Sequence, residues 1–126
     1  MKILGIGLDL VETQRIEESL QRFGERFLRR VYLPGEIEYC RQMAIPSVHY
    51  AARFAAKEAI SKAFGTGIGA AIGWQDMEIA RRESGAPYVV LHGRGARHAE
   101  SLGVKEVLVS LSHTRSYGAA QAVVIC

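Results

Sequence analysis

The sequence predicts an α+β domain in which a mixed or antiparallel sheet packs on one long central helix. Three observations predict it. The elements run in the order strand, helices, hairpin, helix, hairpin. A long helical segment from Pro46 to about Phe64 carries Ala52, Ala56, Ala59 and Ala63 as a stripe of small side chains, which lets it lie close against a sheet. Ile3 to Val11 is apolar and glycine-containing, and reads as a strand with its body buried.

Each element has a local reason. After the first strand, Glu12 or Thr13 opens a helical stretch with Ile16, Leu20, Phe23 and Phe27 at helical spacing, which Gly24 divides. Pro34 starts a short helix with Ile37 and Cys40 inward, ending before Pro46. Pro46 opens the long helix and Gly65 closes it as a C-cap. Trp74 to Arg81 reads as a strand, Ser84-Gly85-Ala86-Pro87 as a turn, and Tyr88 to Leu91 as the second strand of a hairpin. Gly93 to Leu102 is a short helix stopped by Gly103. Val104 to Leu111 and Tyr117 to Ile125 are strands, joined by the polar link Ser112 to Ser116.

The 126 residues read as a single domain, 1–126, with no repeat or linker. Hydrophobic content of 48% with 23% charged residues is ordinary for a soluble globular protein. No apolar run is long enough to span a bilayer, and the start turns acidic at Asp9 too soon for a signal peptide. Cys40 and Cys126 form neither a disulfide framework nor a metal-ligand spacing. The expectation is a cytoplasmic protein with free thiols and no membrane partner.

Net charge is +3, but Arg15, Arg22, Arg26, Arg29 and Arg30 crowd the early helices. This is either a docking face for an acidic partner or a solvated helix face, since Glu12, Glu17, Glu18 and Glu25 are interleaved. A pI near 9.1 raises nucleic acid as a rival partner. The chain lacks aromatic pairs for base stacking and the glutamates dilute the basic stripe, so no nucleic-acid partner is expected.

Asp9 interrupts an apolar strand. A buried carboxylate costs several kcal/mol, as an order of magnitude, unless it is paired or bound to metal. Asp9 therefore either caps the next helix or holds Mg²⁺, which favours one or two carboxylates plus phosphates and water. Glu58 is the second carboxylate in the metal reading. Glu58 and Lys62 stand four apart on one helix face, with Phe54 and Ser61 beside them. The same pair read blandly is a surface ion pair worth about 0.3–0.5 kcal/mol. His49, His92, His98 and His113 have no zinc-like spacing.

Gly65-Thr66-Gly67-Ile68-Gly69 follows a helix, whereas a phosphate loop precedes one. A helix exit is the plain reading. Phosphate near this negative helix end needs Mg²⁺, Lys62 and loop amides to overcome the field. Ser110 to Arg115 places Ser beside His, but neighbours on a strand point to opposite faces, and no Gly-x-Ser-x-Gly elbow is present. A phosphate-binding hairpin or an ordinary turn histidine remains.

Three blocks then join into one resemblance. They are Gly5-Ile6-Gly7-Leu8-Asp9-Leu10-Val11-Glu12 with Arg15, Arg53-Phe54-Ala55-Ala56-Lys57-Glu58-Ala59 through Lys62-Ala63-Phe64-Gly65-Thr66-Gly67, and Ser110-Leu111-Ser112-His113-Thr114 with Tyr117 and Ala119. Gly85 and Pro87 add a matching hairpin turn. Together they resemble the holo-[acyl-carrier-protein] synthase family, the small bacterial type of 4′-phosphopantetheinyl transferase, over nearly the whole chain. The resemblance implies transfer of phosphopantetheine from coenzyme A to a serine of apo acyl carrier protein, in fatty acid biosynthesis, by a homotrimer with active sites between neighbours. It implies that Asp9 and Glu58 hold Mg²⁺. It implies that Arg53, Lys62, Gly65, Thr66, Gly67, Ser112, His113 and Thr114 hold the nucleotide and its phosphates, with Pro87 shaping the pocket wall. Arg15, Arg22 and Arg26 lie on the surface it assigns to the carrier protein. Glu58 is the first choice of general base for the serine, and Glu36 the alternative.

Overall fold

The computed structural model describes residues 1–126. The chain forms β1 (Ile3–Glu12), α1 (Thr13–Phe23), α2 (Glu25–Val31), α3 (Pro34–Arg41), α4 (Pro46–Ala63), β2 (Met77–Arg81), β3 (Pro87–Leu91), α5 (Gly93–Ser101), β4 (Glu106–His113) and β5 (Tyr117–Ile125). Pro34 and Pro46 each open their helix, where a missing N–H costs nothing. Gly24, at φ 56°, separates α1 from α2. One three-stranded sheet has the order β1-β5-β4 and a second sheet is the β2-β3 hairpin. All pairings are antiparallel, so the mixed alternative does not occur.

Two strand boundaries differ from the sequence reading. Trp74–Asp76 is a 3₁₀ turn rather than strand, because the Asp76 carboxylate accepts the Gly73 N–H at 2.8 Å and tightens the chain there. β4 runs two residues later than expected and takes in Ser112 and His113, which pair with Ala119 and Gly118. Their polarity reflects exposure on the strand, not a turn; the turn is confined to 114–116.

α4 lies on β1 and β5, and the small residues set the distance. Ala51, Ala52, Ala55, Ala56, Ala59 and Ala63 are buried. The sheet answers with glycines. A Cβ at Gly7 would stand 1.8 Å from the Ala59 carbonyl oxygen, and one at Gly5 2.1 Å from that of Ala63. Gly118 is equally tight, 2.6 Å from the Ala51 carbonyl carbon. Backbone cannot yield as a flexible side chain does. Gly7→Ala is therefore expected to cost about 3 kcal/mol, the upper part of the overpacking range. Urea denaturation checks this, and an unchanged midpoint would mean that α4 can retreat from the sheet.

The opposite face of the large sheet is bare. Ile6, Leu8 and Leu10 are 66%, 69% and 64% exposed, with Leu108 and Tyr117 beside them on β4 and β5. Val123, the exposed Gln121 and Ala119 fill the register positions between these strands.

A buried ion pair ties the other layer to α4. Lys57 Nζ donates to Glu36 Oε1 at 2.7 Å, to the Val31 carbonyl at 2.7 Å and to the Trp74 carbonyl at 3.2 Å. Glu36 in turn accepts the N–H groups of Leu33 and Ile79. Both side chains are fully buried and all their polar atoms find partners, the condition under which a buried pair is tolerated. Burial pushes the Lys57 amine below its ordinary value, and Glu36 opposes that shift. Cys40 is buried and Cys126 half-buried; both are free thiols. Burial pushes the Cys40 thiol up to about 12.

Candidate active site

Alternation along β1 aims Gly7, Asp9 and Val11 at α4, while Leu8 and Leu10 point away. Asp9 thus meets the last turns of the helix. Lys62 Nζ donates to Asp9 Oδ1 at 2.9 Å and to the Leu8 carbonyl at 3.1 Å. Glu58, one turn before Lys62, stands close enough to feel both. Partial burial raises its pKa first, the Asp9 charge raises it further, and Lys62 lowers it. Asp9, far away in sequence, therefore joins Glu58 and Lys62 in one cluster of two carboxylates and an ammonium. Asp9 is 17% exposed and Lys62 49%, so the cluster opens to solvent. Asp9 makes no cap at α1, whose N-cap position is Glu12 without a side-chain bond.

The donor set of this cluster is oxygen only. No group of three or more His, Cys, Asp or Glu converges anywhere in the chain. Two carboxylates without imidazole or thiolate fit a hard cation that completes its shell with phosphate and water.

Arg53 and His113 form a second cluster. Arg53 precedes Glu58 by five residues, which places it about 7–8 Å along α4 and roughly 140° around it. Its guanidinium carbon lies 4.4 Å from the Tyr39 ring centroid, and Nη1 donates to the His49 carbonyl at 3.3 Å. Arg53 is 4% exposed, and its buried Nε has no partner. His113, exposed at the end of β4, lies on the strand face toward α4 and meets the His49 ring with centroids 4.9 Å apart. Ser112, the residue before it on the strand, points to the bare outer face with Ser110 and Leu108. The structure therefore parts Ser112 from His113. Thr114 lies in the turn, where its Oγ1 accepts the Tyr117 N–H at 3.1 Å.

The loop after α4 is a C-cap in full. Gly65 and Gly67 have φ 80° and 66°. The Gly65 N–H bonds the Lys62 carbonyl, and those of Thr66 and Gly67 bond the Ser61 carbonyl. All three amides are spent on the helix end, so none is left for phosphate. The Thr66 hydroxyl donates to the Gly67 carbonyl. Any nucleotide contact here is one of shape and carbonyl edges. Pro87 opens β3 opposite Arg81, and lines a cavity of about 460 Å³ between β3 and β4.

Glu36 is removed as a proton acceptor. It is 2% exposed and locked to Lys57 and two backbone amides, with no path to a substrate. His49, Tyr39 and Arg81, which sequence reasoning left out of the site, surround Arg53 and His113. The spacing of His49 four residues before Arg53 was the one available signal. Arg15, Arg22 and Arg26 are exposed, and the Arg22 guanidinium lies 5.3 Å from the ring of Phe23, itself 47% exposed.

Known proteins match this chain over nearly its whole length. The profile of the 4′-phosphopantetheinyl transferase superfamily matches residues 5–122. The holo-[acyl-carrier-protein] synthase of Solibacter usitatus is 48% identical over 121 residues, covering 96% of this chain and 97% of that protein. The crystal structure of the synthase from Neisseria meningitidis superposes with a TM-score of 0.92 at 33% identity, covering 99% of this chain and 100% of the other. That of Helicobacter pylori, in complex with coenzyme A, gives 0.85 at 34% identity over 94% of this chain and 98% of its own. With fold, length and the Asp9–Glu58–Lys62 cluster all inside the matched span, the chain belongs to the 4′-phosphopantetheinyl transferase superfamily.

Proposed function

We propose that the chain transfers 4′-phosphopantetheine from coenzyme A to a serine of apo acyl carrier protein, with Mg²⁺, in fatty acid biosynthesis in the cytoplasm. The observation that carries this reading is the meeting of Asp9, Glu58 and Lys62 in a chain of this family. Asp9 and Glu58 would hold the Mg²⁺, which when bound supplies Lewis-acid neutralisation of the coenzyme A diphosphate. Lys62 places its ammonium at the same group and offsets the charge that grows on the phosphoryl oxygens. Glu58 is the first choice of general base, acting directly or through a water. It takes the proton of the carrier serine as the hydroxyl oxygen attacks the β-phosphorus. The bond from that phosphorus to the bridging oxygen breaks, and adenosine 3′,5′-bisphosphate leaves.

The active assembly in this reading is a homotrimer with sites between subunits. Two features support it. The outer row Ile6, Leu8 and Leu10 is an apolar face of the kind that a second copy covers. The cluster of Arg53 and His113 and the carboxylate cluster lie on different sides of α4, so a nucleotide touching both is best served by two chains. Arg15, Arg22 and Arg26 offer the acidic carrier a basic face.

Incubation with coenzyme A, Mg²⁺ and apo carrier protein, followed by mass spectrometry, tests the reaction. The expected product is carrier protein bearing one phosphopantetheine; unmodified carrier after prolonged incubation refutes the reading. Reversing Arg15 and Arg22 to glutamate should raise KM for the carrier about tenfold at low salt and leave KM for coenzyme A within twofold. Steady-state kinetics at two salt concentrations checks this, and an unaltered carrier KM moves the docking face elsewhere.

A further inference from the structure

The 3₁₀ turn Trp74–Asp76 joins the loop after α4 to the β2-β3 hairpin, and each of its residues holds a different neighbour. The Asp76 carboxylate accepts the Gly73 N–H at 2.8 Å and fixes the end of the glycine loop. The Trp74 carbonyl accepts the buried Lys57 ammonium at 3.2 Å, and its ring packs on Phe54 of α4 with centroids 4.8 Å apart. Gln75 reaches α2. Its Nε2 donates to the Arg29 carbonyl at 2.7 Å and to the Tyr32 carbonyl at 2.8 Å. A side-chain amide carries two such hydrogens, and both are used.

These carbonyls belong to the C-terminal end of α2, where a helix has no amides of its own left to bond. The end is closed from outside. Lys57 takes the Val31 carbonyl at 2.7 Å, and Gln75 takes those of Arg29 and Tyr32. A seven-residue helix does not hold itself in water. α2 follows Gly24, which offers no side-chain cap, so its placement rests on the buried Leu28 and Val31 and on this far end. Arg26 stands one turn before Arg29 and Arg30 on the same helix. Lys57 is sealed in the core, whereas Gln75 is exposed. Water can take over the hydrogen bonds of an exposed donor, so little of the fold's stability hangs on Gln75. Water cannot replace the span from the turn to the helix.

We propose that Gln75 is a positioning residue for carrier recognition: it ties the end of α2 to the turn Trp74–Asp76 and so holds Arg26 in place for the acidic partner. The inference rests on the carrier-docking reading above. A helix fixed before the encounter loses less freedom on binding, so the tie is felt as affinity for the carrier rather than as turnover. Coenzyme A is assigned to other residues, none of them on α2, and its affinity does not depend on the tie.

Steady-state kinetics of Q75M, which keeps the length of the side chain and loses both donors, tests this. KM for apo carrier protein should rise about fivefold, the size of one neutral hydrogen bond, with kcat and KM for coenzyme A within about twofold. Tm should fall by no more than about 4 °C, so the assay runs on folded protein. Q75N keeps the amide but is one methylene too short, and should behave as Q75M does. R26A alone should raise the carrier KM, and Q75M added to R26A should raise it further by less than about twofold, because both changes remove the same contact. A wild-type carrier KM in Q75M and Q75N beside a raised one in R26A overturns the proposal, whatever the Tm, and leaves the docking face standing. A matching rise in KM for coenzyme A overturns it, as does full multiplication of the two effects in the double variant. A wild-type carrier KM in R26A as well overturns both the proposal and the docking face.

Discussion

Asp9→Asn and Glu58→Gln should each lower kcat/KM by roughly 10²–10⁴-fold, the first through loss of a Mg²⁺ ligand and the second through loss of the general base as well, while the protein stays folded. The two carboxylates share one small cluster with Lys62, and each substitution keeps size while removing charge. Linkage separates this loss from structural damage. Glu58 is harder to ionise in the folded chain than in the unfolded one. Its stabilising contribution is therefore present below its unfolded pKa and lost as pH rises through the folded value. At neutral pH Glu58→Gln should thus be neutral or slightly stabilising, by no more than about 1 kcal/mol, since much of the group is solvated. In Asp9→Asn the Glu58 carboxyl should titrate at lower pH, because a neighbouring negative charge is gone. Kinetics, thermal melts and carboxyl NMR titration read the three effects. Near-normal turnover in both variants would remove the cluster from the chemistry.

Lys57→Met should cost about 3–5 kcal/mol of stability, a large share of the 5–15 kcal/mol that holds a typical domain together. The reason is not that the Lys57–Glu36 pair is intrinsically strong. Removing the ammonium leaves the Glu36 carboxylate charged in a place that water does not reach, and strips the Val31 and Trp74 carbonyls of a donor. A double variant with Glu36→Gln should recover part of the loss, because no uncompensated charge then remains. Urea denaturation of wild type, the two single variants and the double variant measures the coupling. A single variant within about 1 kcal/mol of wild type would mean that water enters the pair. Lys57 adjoins Glu58 but points to another side of the helix, toward α3 and the 3₁₀ turn Trp74–Asp76, so this variant should fail through stability rather than through turnover.

Local chemistry made most of the elements legible. Pro46 and Gly65 mark the ends of α4 because one lacks an N–H and the other adopts a positive φ without strain. Gly24 divides α1 from α2 for the same reason. Glu58 and Lys62 were readable as a pair because helical spacing is a local property. The strand β2 started late because the Asp76 side chain competes for a backbone amide, an effect that propensity does not record.

The site is where sequence reasoning stopped short. Nothing local states that Asp9 lies beside Lys62, that the amides of Gly65, Thr66 and Gly67 are consumed by their own helix, or that Glu36 is sealed against Lys57. Ser112 and His113 are neighbours in the chain and strangers in space, since a strand sends them to opposite faces. His49 and Arg81 join Arg53 only because α3, α4, β2 and β4 converge there. The sequence alone determined the elements, their ends and the residue types available for phosphate chemistry, because those follow from backbone freedom and periodicity. Tertiary packing alone decided which charges meet, because Coulomb attraction and desolvation depend on distance and burial between residues that the chain order keeps far apart.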